Sequence, residues 1–215
     1  MHVIGGTAST ALAERVSREL GNVPFGIPFT KRFPDDEMYV RVGGRLEGED
    51  VVLVQSTRTD SDFLELVLLE DAIREAGARR TFVVVPYFGY ARQDRRFFPG
   101  EPVSARALCR HVELDADAVV TVDLHSSQSL THFTKPAFEA SGIPAVARLL
   151  RERPLDLLVS RTRAESIAHA AWHSSSTSPG SPSRNDGSIA NTSNSPFLRA
   201  SRSRSRESTW CSSTT

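Results

Sequence analysis

The chain has 215 residues and no net formal charge, 26 basic side chains offsetting 26 acidic ones. That balance joins two unlike parts. Residues 1–159 carry 19 basic and 23 acidic side chains, while residues 160–215 carry 7 and 3 together with 17 Ser and 6 Thr, so the two are read separately. No run approaches ~18 uncharged apolar residues, which excludes a membrane-spanning helix. The N-terminus lacks the charged and apolar regions of a secretory signal. Cys109 and Cys211 form neither a disulfide framework nor a metal cluster, so a reducing cytoplasm is expected.

Strand and helix patterns alternate through residues 1–159. Val3-Ile4 is a short apolar start. The turn Gly5-Gly6-Thr7 leads into a helix-compatible stretch, Ala11 to Leu20, that Gly21 stops. Met38 to Val42 alternates as a strand, and Val51 to Val54 is a continuous apolar run suited to a strand buried on both faces. Asp62, with Glu65 three residues on, reads as the capping box of a helix. That helix is apolar nearly all round from Phe63 to Ile73, which points to deep burial or a subunit interface, and Gly77 ends it. Thr81 to Val85 is the next buried strand, Ser104 to Leu114 a helix, Ala118 to Leu124 a strand, Ala145 to Arg151 a helix and Leu155 to Val159 a last strand. The alternation predicts an α/β fold: a mostly parallel sheet with helices on both faces and ligands beyond the carboxyl ends of its strands.

Three polar clusters stand where chemistry is expected. The first, Pro86 to Arg106, is a loop of about twenty residues rich in Arg, aromatics, Gly and Pro, a length that in compact domains is functional or disordered. Arg92, Arg95 and Arg96 suit phosphate oxygens, and Tyr87, Phe88, Tyr90, Phe97 and Phe98 suit a base or a pocket wall. Asp94 and Glu101 suit an Arg or a hydrated metal ion. A surface loop with structural ion pairs has the same composition. The second cluster holds Asp123 and His125, two apart on a strand and so on one face. They suit a divalent cation or a proton shuttle, or a histidine that is simply hydrogen-bonded in the structure. The third, Arg32 to Arg41, offers Phe33 to pack on a base and Asp35 and Glu37 to accept hydrogen bonds from an amine or ribose; a polar turn feeding a strand reads the same way. Neither GxGxxG nor a Walker A pattern occurs.

The runs FPDDEMYVR, PYFGYARQDRRFFPGEPVSARAL and VDLH together resemble the ribose-phosphate diphosphokinase (phosphoribosyl-diphosphate synthetase) family, in its archaeal-type wording. The resemblance implies a phosphoribosyltransferase-like α/β domain over residues 1–143, the start of a second family domain over 144–160, and a low-complexity tail, off-frame or disordered, over 161–215. It implies diphosphoryl transfer from ATP to ribose 5-phosphate, giving phosphoribosyl diphosphate and AMP, with magnesium as cofactor. On that reading Phe33, Asp35, Asp36 and Glu37 contact ATP across a subunit boundary. Arg92, Gln93 and Asp94 lie along the nucleotide, and His125 binds magnesium–ATP with Asp123 in support. A homo-oligomer is implied, with no membrane and no nucleic-acid partner.

The resemblance stops near Ser160. The family continues with a Pro-Asp that supplies a second magnesium ligand, a catalytic loop with Lys and Arg, and a ribose-5-phosphate loop with paired Asp before Thr-Gly. Here Arg161-Thr162-Arg163-Ala164-Glu165-Ser166 follows, and no Lys and no Asp-Asp pair occurs beyond it. Three readings of the tail stand: a frameshifted translation of the family's second domain, a genuine disordered tail, or, from SRASRSRSRES, a short phosphate-backbone-binding segment. The first makes the chain inactive in the family reaction. A non-catalytic nucleotide-binding subunit that regulates a full-length relative is the alternative function.

Overall fold

A computed structural model describes residues 1–151. The expected strand Leu155 to Val159 and the whole tail lie outside the described residues. Six strands form one sheet in the order β2-β1-β5-β6-β7-β8: β1 His2–Gly5, β2 Phe25–Gly26, β5 Asp50–Val54, β6 Arg80–Val85, β7 Ala118–Val122 and β8 Ala137–Ala140. Every neighbouring pair is parallel. A separate antiparallel hairpin joins β3, Phe29–Arg32, to β4, Met38–Arg41. The helices are α1 Thr10–Glu19, α2 Asp60–Glu75, α3 Ser104–Val112 and α4 Ile143–Arg151.

The continuous apolar run of β5 is explained by helices on both of its faces. Val52 and Val54 pack with Val3 and with Ala13 of α1. Val51 and Leu53 point the opposite way, into the larger core with Leu66, Leu69 and Ile73 of α2 and Cys109 and Val112 of α3. Alternate residues of a strand face opposite sides, so one strand feeds two cores and no position between Val51 and Val54 is left for a polar side chain. Cys109 is buried and its thiol is pushed up to about 12, chiefly by loss of solvent.

Helix α2 starts two residues before the expected Asp62. Its cap is Thr59, which pairs reciprocally with Asp62 in a capping box. Glu65 turns inward instead. It is buried and accepts from the Thr7 N–H at 2.8 Å and from the Thr7 hydroxyl. The apolar circumference of α2 resolves into a buried face (Leu66, Leu69, Ile73) and an exposed Leu64. Three strands escape the sequence pattern. β2 has two residues and lies at one sheet edge, β3 is mostly polar, and β8 lies at the other edge with Phe138 outward. Edge and hairpin strands lack the two-sided burial that writes an apolar run. Strand β7 ends two residues before the expected Leu124, because Asp123 adopts a left-handed φ of 44°.

Glu70, on α2, is buried and neither carboxylate oxygen has a hydrogen-bond partner. Loss of solvent pushes its pKa up to about 9, with Lys135 opposing weakly. The folded state therefore holds a proton on Glu70 that the unfolded chain, with an ordinary value near 4.5, releases. The contribution of Glu70 to stability is full below about pH 4.5 and falls as pH rises towards 9, by up to roughly tenfold in the folded-to-unfolded ratio per pH unit. Glu70→Gln is expected to flatten this dependence and to raise the melting temperature at pH 8. Chemical denaturation at pH 5 and pH 8 checks it, and equal pH slopes in the two proteins would contradict it.

Candidate functional site

The carboxyl ends of the strands are not equivalent. That of β1 is filled from within the chain. Gln55 Oε1 accepts from the Ala8 N–H at 3.1 Å, and a Cβ on Gly6 would stand 2.3 Å from that same oxygen. Glu65 takes the two Thr7 donors. The ends of β6 and β7 are open instead. Between the loops that follow them lies a cleft of about 410 Å³, lined by Tyr87, Phe88, Tyr90, Ala91 and Arg92 on one side and by Val122, Asp123, Leu124 and His125 on the other.

The β6 loop is held against the end of β5. Thr57 N–H donates to Tyr87 O at 2.9 Å, and Gly89 N–H donates to the Thr57 hydroxyl at 2.9 Å. A Cβ on Gly89 would lie 2.0 Å from Thr57 O, so only glycine allows this approach. Tyr90 then takes a left-handed φ of 59°, and its hydroxyl donates to Asp60 at the start of α2. The Asp60 carboxylate raises the Tyr90 hydroxyl pKa. Among the described residues, Tyr90 and Asp123 are two of the four non-glycine residues with positive φ, and both line the cleft; a third, Asp36, is in the hairpin turn. Such backbone is retained where surrounding structure over-determines it, and it clusters at ligand sites.

The expected site residues separate into three groups. Arg92 and His125 meet in the cleft. Asp123 also lines it but does not share a strand face with His125, because β7 has already ended. Its carboxylate accepts from the Ser141 hydroxyl and from the Gly142 N–H, each at 3.0 Å. Gln93 turns towards the start of α3: its side-chain oxygen accepts from the Ser104 hydroxyl and its carbonyl from the Ala105 N–H. Gln93 and Asp94 are not cleft-lining residues. Glu101 closes the end of the loop, accepting from the N–H groups of Phe97 and Phe98 at 2.9 and 3.0 Å, and Arg95 lies over the Phe97 ring at 5.4 Å.

Phe33, Asp35, Asp36 and Glu37 form the turn of the β3–β4 hairpin, and none of them lines the cleft. Phe33 packs edge-on against Tyr39 at 5.9 Å, with Lys31 Nζ 4.5 Å from its ring centre. Arg32 ties the turn to the body of the domain, donating to Asp36 O at 2.6 Å and to the Ser61 hydroxyl of α2 at 2.7 Å. The turn therefore presents exposed carboxylates and a half-open aromatic face outside the cleft of its own chain. Glu65, Gln55 and Gly89, which shape the strand ends, escape sequence reasoning. Only the Gly-Gly-Thr turn and the Phe-Gly-Tyr triplet hint at close approaches there.

A parallel sheet covered on both faces, with an open cleft beyond adjacent central strands, defines an α/β domain of the doubly wound kind, whose ligand position is beyond the carboxyl strand ends. A profile of the N-terminal domain of ribose phosphate pyrophosphokinase matches residues 1–114. The ribose-phosphate pyrophosphokinase of Methanosarcina mazei is 50% identical over 137 residues, covering 64% of this chain and 45% of that protein. That of Rhizobium meliloti is 41% identical over 155 residues, covering 71% and 50%. The crystal structure of phosphoribosylpyrophosphate synthetase from Mycobacterium smegmatis superposes with a TM-score of 0.62 at 26% identity, covering 71% of this chain and 52% of that one. The chain belongs to the ribose phosphate pyrophosphokinase family, and it spans about half the length of the curated relatives it matches.

Gly89→Ala forces the β6 loop off Thr57. The expected loss is about 1–3 kcal/mol of stability, the usual cost of overpacking, with amide exchange in residues 87–92 rising before the core opens. An unchanged denaturation midpoint would contradict the close approach.

Proposed function

We propose that this chain binds magnesium–ATP in the cleft beyond β6 and β7 and does not itself form phosphoribosyl diphosphate. The observation that carries the first half is the meeting of Arg92 and His125 across one cleft walled by Tyr87, Phe88 and Tyr90. Arg92 supplies a planar cation for phosphate oxygens, and the aromatic residues supply a surface for the base or ribose. His125 is the residue that would hold magnesium carried by ATP, with Asp123 in support at the lip. Both are exposed to the cleft, and each Asp123 oxygen keeps a lone pair beyond its one hydrogen bond. Magnesium takes phosphate oxygens and retains waters, so a few protein ligands suffice. When bound it neutralises charge on the phosphate oxygens of the group in transfer.

The hairpin turn of a second copy would supply Phe33, Asp35, Asp36 and Glu37 to that nucleotide, because within one chain the turn does not line the cleft. Gln93 serves the site by fixing the loop between Arg92 and α3, with Asp94 beside it. The inactivity half rests on sequence: beyond Ser160 there is no Lys and no Asp-Asp pair to serve as the sugar-phosphate and Lys/Arg loops. The second reading, a regulatory subunit that co-assembles with an active relative, is favoured by the same separation, since every retained motif lies on the ATP side.

ATP titration with magnesium tests the site. Arg92→Ala is expected to weaken binding ~10–100-fold, the worth of a charge-assisted contact, and unaltered binding would sink the assignment. AMP release that depends on ribose 5-phosphate, from the purified 215-residue chain, would overturn the inactivity. Co-purification with an active relative, abolished when the hairpin turn is replaced, separates the regulatory reading from the first.

A further inference from the structure

His125 does not stand on a strand. It stands in a short exposed loop, residues 123–127, between the end of β7 and a 3-10 turn at Ser127–His132. Asp123, His125 and Ser127 are all exposed, and half-buried Leu124 is the loop's one apolar anchor on the core. The loop is sewn to the edge strand and the turn after it by two carboxylates. Asp123 reaches out to Ser141 and Gly142. Glu139, paired with Thr121 in the ladder between β7 and β8, reaches back. Its Oε1 accepts from the Leu124 N–H at 2.7 Å and its Oε2 from the Ser127 hydroxyl at 2.9 Å. The two partners bracket His125 on either side in the chain.

We propose that Glu139 is a positioning residue of the nucleotide site, holding His125 on the cleft by clamping Leu124 and Ser127. The proposal rests on the reading of the cleft as a magnesium–ATP site and adds a residue outside it, since Glu139 does not line the cleft. Bonds from N–H and O–H groups to a carboxylate are about twice as strong as neutral ones. Their loss here releases a loop rather than the core, because the freed donors can turn to water. The sign of the effect is diagnostic. Removing a negative charge near a magnesium–ATP anion strengthens binding by relieving Coulomb repulsion, whereas loosening His125 weakens it.

The test uses the full chain and manganese–ATP, followed by water-proton relaxation, beside amide exchange and the His125 imidazole NMR signal. Glu139→Ala is expected to speed exchange across residues 123–127 by about tenfold, as for one charge-assisted hydrogen bond, to shift or broaden the His125 signal, and to weaken manganese–ATP by a similar factor. Glu139→Gln keeps an acceptor for the Leu124 N–H and is expected to restore most of the affinity. In a His125→Ala background, Glu139→Ala is expected to have no further effect on affinity, which a general structural role would not produce. Unchanged exchange, an unchanged His125 signal, unchanged or tighter manganese–ATP binding, or full additivity with His125→Ala each overturns the proposal. If the wild-type chain fails to bind manganese–ATP, the nucleotide-site reading falls. The exchange and His125 signals of Glu139→Ala then decide alone whether Glu139 holds the loop.

Discussion

The parallel ladder running through β5, β6 and β7 is the constraint on which the site depends. Val54 pairs with Val84, and Val85 pairs with Thr121. Strands in such register end nearly level, so the chain must leave the sheet at one edge and cross above it on the way to the next helix. The loops after β6 and β7 therefore emerge side by side, and a cleft opens between them. Nothing in the loop sequences themselves brings Arg92 to His125; the hydrogen-bond register of the strands below does.

That register becomes a binding geometry through a few short-range commitments at the strand ends. Gly89 lies against Thr57 where no Cβ fits. Tyr90 is turned left-handed and tied to Asp60, and Asp123 is turned left-handed and tied to the turn before α4. At β1 the same kind of strand end is closed by Glu65 and Gln55. A carboxylate and an amide there take up the backbone donors that a ligand would otherwise use. One sheet edge thus shows both a filled strand end and an open one, distinguished by which side chains α2 and the residue after β5 send upward.

The alternation of strands and helices was legible because burial on both faces writes long apolar runs, as in Val51 to Val54 and Thr81 to Val85. The strands that lack two-sided burial were not legible: two-residue β2, polar β3 and edge strand β8. The candidate site was legible as motifs and illegible as geometry. Arg92 and His125 could be named from their runs, but the placing of Gln93 against Ser104 and of Phe33 to Glu37 away from the cleft depends on contacts far apart in the chain. The capping box was misplaced by three residues because Thr59–Asp62 and Asp62–Glu65 satisfy the same spacing. What separates them is burial: Glu65 faces Thr7 across the core, and an inward carboxylate cannot also fold back on its own helix end.

On the proposed reading, a half-site of this kind would bind without catalysing for a physical reason. In diphosphoryl transfer the attacking sugar hydroxyl must be held in line with the phosphorus, and that positioning supplies a large share of the barrier reduction. Groups on the ATP side can neutralise phosphate charge however the sugar lies, but with no hydroxyl held in line they have no transition state to act on. Binding of that sort gives affinity and little rate. On that reading the acidic first part of the chain, with Arg92 and His125 on its cleft, would carry the affinity. The residues that would convert it into rate would fall in the stretch where, after Ser160, the charge balance reverses and the family's motifs end.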